Sequence, residues 1–242
     1  MGGVRSAFHD DLEKLRSQTM RLGASVTDAI PRATAILLSG DLEGADYMVQ
    51  ADDEVDVRTS EIEAHCFELL ALQSPVAGEL RETIAVLKMA ADLERSGDLA
   101  VNICRAARRI YGHEIDPVLR GLIPKLSEQA QQLFVATMDA FEQRDFAKAA
   151  AIDDMDAYLD GLHRQFIQAI FECHKREKIE LQVAVQLAVV ARFYERIGDH
   201  AVNVSERTRF MINGWTREQD AVSRFRSRGD GTGEIAVASK ND

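Results

Sequence analysis

The chain has 242 residues, 46% hydrophobic and 29% charged, which suits one large domain or two small ones with a real core and a soluble surface. Its formal net charge of -11 argues against duplex nucleic acid as a partner, because backbone binding needs clustered Lys and Arg. Three scattered cysteines, Cys66, Cys104 and Cys173, exclude a disulfide framework or zinc ribbon, and the lack of an apolar leader or an 18-residue apolar run predicts a cytoplasmic chain that spans no membrane.

From Phe8, apolar residues at Leu12, Leu15, Leu22, Val26 and Ile30 keep helical spacing. This first helix is predicted to bend at Pro31 and resume to Leu38. Ser39-Gly40-Asp41 supplies a stop and a fresh N-cap for a second helix reaching Leu72. Ser74-Pro75 reads as an N-cap followed by proline at the first helical position, opening a third helix to Tyr111. Asp116-Pro117 repeats that signature and begins a fourth helix ending near Glu142, and Asp145 caps a fifth reaching Lys175. The stretch from Leu181 to Leu187 alternates like a strand, yet it fills the place of the third helix in the first half, so a sixth helix to Asn213 is predicted. Periodicity then ends in a Gly-rich tail. The expected architecture is all-α: one three-helix repeat over 5–112, a second over 116–213, and a flexible tail over 214–242.

Two near copies organise this pattern. Glu94-Arg95-Ser96-Gly97-Asp98-Leu99-Ala100-Val101-Asn102 and Glu195-Arg196-Ile197-Gly198-Asp199-His200-Ala201-Val202-Asn203 both read Glu-Arg-x-Gly-Asp-x-Ala-Val-Asn. Helical spacing puts Glu94, Asp98 and Asn102 on one face, and likewise Glu195, Asp199 and Asn203. The row Leu80, Ile84, Leu87, Ala91 leads into the first acids, and Leu181, Val185, Ala188, Arg192 into the second. Carboxylates that continue an apolar row are costly unless a positive group meets them.

The halves overlay further. At an offset of 104 residues, Asp52-x-x-Val55-Asp56 falls on Asp156-x-x-Leu159-Asp160. Each repeat therefore holds two acid pairs on adjacent helices. If those helices pack as antiparallel neighbours, four carboxylates converge, and four anions do not all stay ionised without a cation. Oxygen ligands select hard cations such as iron, manganese, magnesium or calcium, and carboxylates also hold zinc. Asn102, Asn203 and His163 are candidate additional ligands; His200 lies off the Glu195 face. The opposing interpretation is a solvated or arginine-paired helix face without metal.

Gln73-Ser74-Pro75-Val76-Ala77-Gly78-Glu79-Leu80-Arg81, Ala91-Asp92-Leu93-Glu94-Arg95-Ser96-Gly97-Asp98 and Arg192-Phe193-Tyr194-Glu195-Arg196-Ile197-Gly198-Asp199-His200-Ala201 resemble the most characteristic stretches of the PhoU family of phosphate-transport regulators. The resemblance spans about residues 5–213. It implies metal ions, iron, zinc, magnesium or manganese, singly or as clusters, on Asp52, Asp56, Glu94, Asp98, Asp156, Asp160, Glu195 and Asp199. It also implies a cytoplasmic, non-enzymatic negative regulator of phosphate uptake and starvation signalling. The implied partners are the phosphate ABC transporter ATPase subunit, a phosphate-sensing histidine kinase and a second copy of the chain, with the membrane reached only through partners. Arg192, where the first half has Ala91, departs from the repeat. The rival from enzyme chemistry, a ferritin-like di-metal oxidase, uses Glu-x-x-His, which neither the third nor the sixth helix contains.

Overall fold

The computed structural model describes residues 2–73 and 75–217, with six helices: α1 (Gly2–Ser39), α2 (Leu42–Gln73), α3 (Gly78–Arg109), α4 (Pro117–Gln143), α5 (Phe146–Lys175) and α6 (Leu181–Asn213). No strand occurs among the described residues, and no helix there is long and apolar enough to cross a membrane. The alternating stretch at the start of α6 is helical because its buried residues, Val183, Ala184 and Leu187, follow the spacing of one helix face while Val185 is exposed.

Local chemistry sets most helix ends. Gly40, at φ 69°, closes α1 by donating its N–H to Ile36 O at 2.9 Å, and Asp41 Oδ1 accepts from Gly44 N at 2.9 Å to start α2. Asp116 Oδ1 caps α4 through Val118 N, and Asp145 Oδ1 caps α5 through Ala147 N and Lys148 N. Two expectations change. α1 runs through Pro31 as a single helix, held on either side of it by the buried Ile30 and Ala33. α3 starts at Gly78 instead of Ser74-Pro75, because Pro75 is buried and the residue before the helix is Ala77, at φ 50° and with no side-chain cap. Ser74 itself lies outside the described residues, as do residues 218–242 of the expected tail.

The two repeats lie side by side. α3 and α6 form a central antiparallel pair: Asp92 meets His200 near the middle, and Arg109 Nη1 donates to Gln186 Oε1 at 3.4 Å near one end. α2 packs on α1 and α3, α5 packs on α4 and α6, and α1 contacts α4 across the repeats. A continuous core results, with Leu15, Leu22, Met89, Leu93, Phe134, Phe141, Phe166 and Tyr194 fully buried. Tyr194 OH lies 2.6 Å from Thr34 Oγ1, which donates to Ser127 Oγ at 2.7 Å, so the buried phenol is satisfied by hydroxyls from α1 and α4. All three cysteines are buried and unpaired.

Candidate functional site

The acidic rows stand beside the buried stripes instead of on them. On α3 the buried residues include Ala85, Val86, Met89, Leu93, Ser96 and Ala100, while Ile84, Leu87, Ala91, Glu94 and Asp98 form its half-buried flank. On α6, Leu181, Val185 and Asp199 are exposed and Glu195 is half-buried. A helix in a packed bundle has an apolar stripe wide enough that its margin mimics its centre in sequence. The margin is also where a neighbouring helix comes alongside.

In the first repeat, Asp52 and Asp56 on α2 come within electrostatic reach of Glu94 and Asp98 on α3. Burial pushes the Asp52 carboxyl up to about 6; the charges of Asp98 and Asp56 push the same way, Arg105 opposes them, and a hydrogen bond with Asp98 adds to the rise. A hydrogen bond between two carboxyls needs a proton on one of them. Glu94 is raised as well, by burial first and then by Asp98 and Asp56, against the pull of Arg95. Glu63, two turns beyond Asp56 on α2, adds its charge to Glu94; the second repeat has no acid to match it, so the repeat gives no signal for it.

The second repeat has the same plan. Burial pushes Asp156 up to about 6, reinforced by Asp160, Asp199, Glu195 and Asp153. Glu195 is raised by burial and Asp199, while Arg192, ion-paired with it one turn earlier on α6, lowers it. One oxygen of that glutamate, Oε2, is buried and has no hydrogen-bond partner. Asp160 is only loosely paired, with Arg164 Nη1 at 4.0 Å.

In the second repeat a glycine permits this approach. A Cβ on Gly198 would lie 2.5 Å from Asp156 Oδ1 and 2.7 Å from Leu159 Cδ2, so α5 reaches α6 only because that position has no side chain. At Gly97 the equivalent atom would meet Val55 Cγ1 at 3.4 Å, an ordinary contact. The repeated Glu-Arg-x-Gly-Asp motif contains both glycines, with nothing in its spacing to give them a role. The available signal was glycine inside a long helix, a choice that costs up to about 1 kcal/mol relative to alanine.

Two of the three additional ligand candidates are engaged elsewhere. Asn102 Oδ1 accepts from Arg105 Nη1 at 2.9 Å, and Asn203 Nδ2 donates to Asp92 Oδ1 at 3.2 Å. His163 is half-buried and its pKa is lowered, by burial and then by Arg192. His200 Nδ1 lies 3.2 Å from Asp92 Oδ1 in the α3–α6 interface. Among the described residues, no group of three or more His, Cys, Asp or Glu side chains is arranged to hold a metal ion. The acids of each cluster meet as proton-sharing or repelling neighbours.

The PhoU domain pattern matches residues 19–107 and 123–208, once in each repeat. The phosphate-specific transport system accessory protein PhoU homolog 1 of Mycobacterium tuberculosis is 32% identical over 223 residues, covering 92% of this chain and 100% of that one. Homolog 2 of the same organism is 32% identical, covering 87% and 99%. The crystal structure of PhoU from Pseudomonas aeruginosa superposes with a TM-score of 0.81 at 25% identity, covering 86% of this chain and all of that one. PhoU from Streptococcus pneumoniae, at 24% identity and a TM-score of 0.79, has the same fold. With six helices in two like halves and a domain match in each, this chain belongs to the PhoU domain family.

Proposed function

We propose that this chain is a metal-binding cytoplasmic regulator of phosphate uptake, a negative modulator of the phosphate ABC transporter and its sensor kinase. Its relatives are named as accessory proteins of phosphate transport, which supports the regulatory part and a non-enzymatic role. The observation that carries the metal part is a repeated one: in each half an acid pair on one helix faces an acid pair on the next, and in the second half Glu195 Oε2 is buried without a partner. The donor set is all oxygen and partly desolvated, which fits hard cations or zinc.

A bound ion would supply the positive charge that lets the four carboxylates of a cluster ionise together and tie α2 to α3 or α5 to α6. To receive it, Asp52 and Asp156 give up their protons and Glu195 releases Arg192. Side chains on both helices turn inward, because the present arrangement is not a ligating one. Gly198 keeps α5 and α6 close enough for that. The shape of the α2–α3 and α5–α6 faces then depends on occupancy, which is how metal would set what the transporter ATPase and the kinase meet.

Affinity capture on the purified ATPase subunit tests the reading. The chain is expected to be retained when metal is present and released by chelator. Failure to bind either the ATPase subunit or the kinase in both conditions would contradict it. At one place a metal-free scaffold is favoured instead, the Arg192–Glu195 pair, where the chain already supplies its own cation.

A further inference from the structure

A cavity of about 740 Å³ opens where α1, the first turn of α3, the α4–α5 turn and the last turn of α6 meet. At its base is Glu82, whose side chain is only 6% exposed. Its Oε1 accepts from Arg16 Nη2 at 2.6 Å and its Oε2 from Arg144 Nη2 at 2.5 Å, so both carboxylate oxygens hold guanidinium groups. Arg81 lines the same cavity with no hydrogen-bond or ion-pair partner among the described residues, and its Nε is buried. Arg16 Nε is buried and unpartnered too. Gly78 brings the first turn of α3 to the cavity, where no side chain caps the helix. Two acids stand on the rim: Glu13, 71% exposed and paired with Arg16, and the half-buried Glu79.

The second repeat carries no such charge at the related positions. At the offset of 101 residues that relates the Glu-Arg-x-Gly-Asp motifs, Glu82 corresponds to Val183, which is buried, and Arg81 to Gln182, which is exposed. At the offset of 104, Arg144 corresponds to Gly40. The same fold is thus completed at the opposite end with an apolar side chain. Glu82 is buried, whereas the Arg16 side chain is 18% and the Arg144 side chain 48% exposed, so both guanidinium groups reach from the buried carboxylate into the cavity. Guanidinium forks match oxyanions in pairs of hydrogen bonds, and the positive end of a helix dipole favours negative charge. We infer that this cavity binds a phosphate oxyanion, held by Arg16, Arg81 and Arg144 at the uncapped start of α3, with Glu82 positioning Arg16 and Arg144. The cavity has room for free orthophosphate or for a phosphate carried on a nucleotide. It shares no residue with the acid clusters: Glu82 precedes Glu94 by twelve residues, about 18 Å along α3.

Calorimetric titration of the full chain with inorganic orthophosphate, and separately with ATP, tests this in the presence of chelator. One anion per chain is expected. Arg81→Ala, which loses no internal partner, should weaken binding by about tenfold or more while leaving the thermal midpoint unchanged. Glu79→Gln should tighten binding by removing a rim charge. Binding of orthophosphate identifies the free ion as sufficient, and binding of ATP alone identifies a nucleotide source; both support the site. Binding of neither probe, binding indifferent to Arg81→Ala, or binding seen only without chelator would overturn it, the last by placing the phosphate on metal.

Discussion

The two acid clusters use the same residue types at the same spacing, but their surroundings differ in sign. One turn before Glu94 stands Ala91; one turn before Glu195 stands Arg192, which pairs with it. Arg105 pulls Asp52 down in the first cluster, whereas its counterpart in the second repeat is Glu206, itself raised by burial and tied to Arg217 Nε at 2.6 Å. In the interface, His200 and Asn203 both contact Asp92, while the repeat-related positions of His200 and Asp92 are the apolar Leu99 and Phe193. The shared part is the acid tetrad with its glycine. The unshared part is the counter-charge, which Arg105 brings to Asp52 in the first cluster and Arg192 to Glu195 in the second.

The largest expected effect separates the clusters outright. Glu94→Gln with Asp98→Asn should remove the metal of the first cluster, weakening it by about 100-fold or more, and leave the second and the helix content intact. The matching pair Glu195→Gln with Asp199→Asn should cost less, since Arg192 already competes there; metal titration of both variants, with circular dichroism for folding, makes the comparison. Next, Gly198→Ala forces Asp156 and the buried Leu159 aside and should weaken the second cluster by about tenfold, with a loss of about 1 kcal/mol in stability because overpacking outweighs the helix preference of alanine. Gly97→Ala meets only an ordinary contact and should raise stability by up to about 1 kcal/mol in chemical denaturation.

A smaller effect is in pH. Asp52 and Asp156 are raised to about 6 in the folded chain, so between about pH 4 and pH 6 the folded state keeps protons that the unfolded chain has released. Their contribution to stability is therefore fully present at the acid end and is lost as pH rises through 6. The thermal midpoint of chelator-treated protein, compared with Asp52→Asn combined with Asp156→Asn, should decline more steeply in the parent chain, since the variant keeps only the raised glutamates Glu94, Glu195 and Glu206. Metal affinity should run the opposite way, falling as pH drops below 6. The smallest effect is expected from Arg192→Ala: an ion pair with a half-exposed arginine is worth about 0.5 kcal/mol, so metal at the second cluster should tighten by about twofold.

Helix ends were legible wherever a local rule decides them. Gly40-Asp41, Asp116-Pro117 and Asp145 act through their own backbone and side chains, and each closes or opens the helix expected of it. The start of α3 was not legible, because burial of Pro75 and the turned backbone at Ala77 are set by the rest of the fold. Pairing of α2 acids with α3 acids could be read from the repeat offset, since duplication carries tertiary information. The repeat carries no trace of Glu63 and Asp153, which have no counterparts. The Arg16–Glu82–Arg144 triad joins residues 66 and 62 positions apart, and no spacing rule reaches that far.

The central claim is that both acid tetrads are cation sites. Elemental analysis of the chain purified without chelator and reloaded with iron, zinc, magnesium or manganese tests it most directly. At least one ion for each cluster is expected in the parent chain, with only the second cluster occupied after Glu94→Gln and Asp98→Asn. A parent chain that takes up no metal, with the same helix content and thermal midpoint whether or not metal is added, would contradict it.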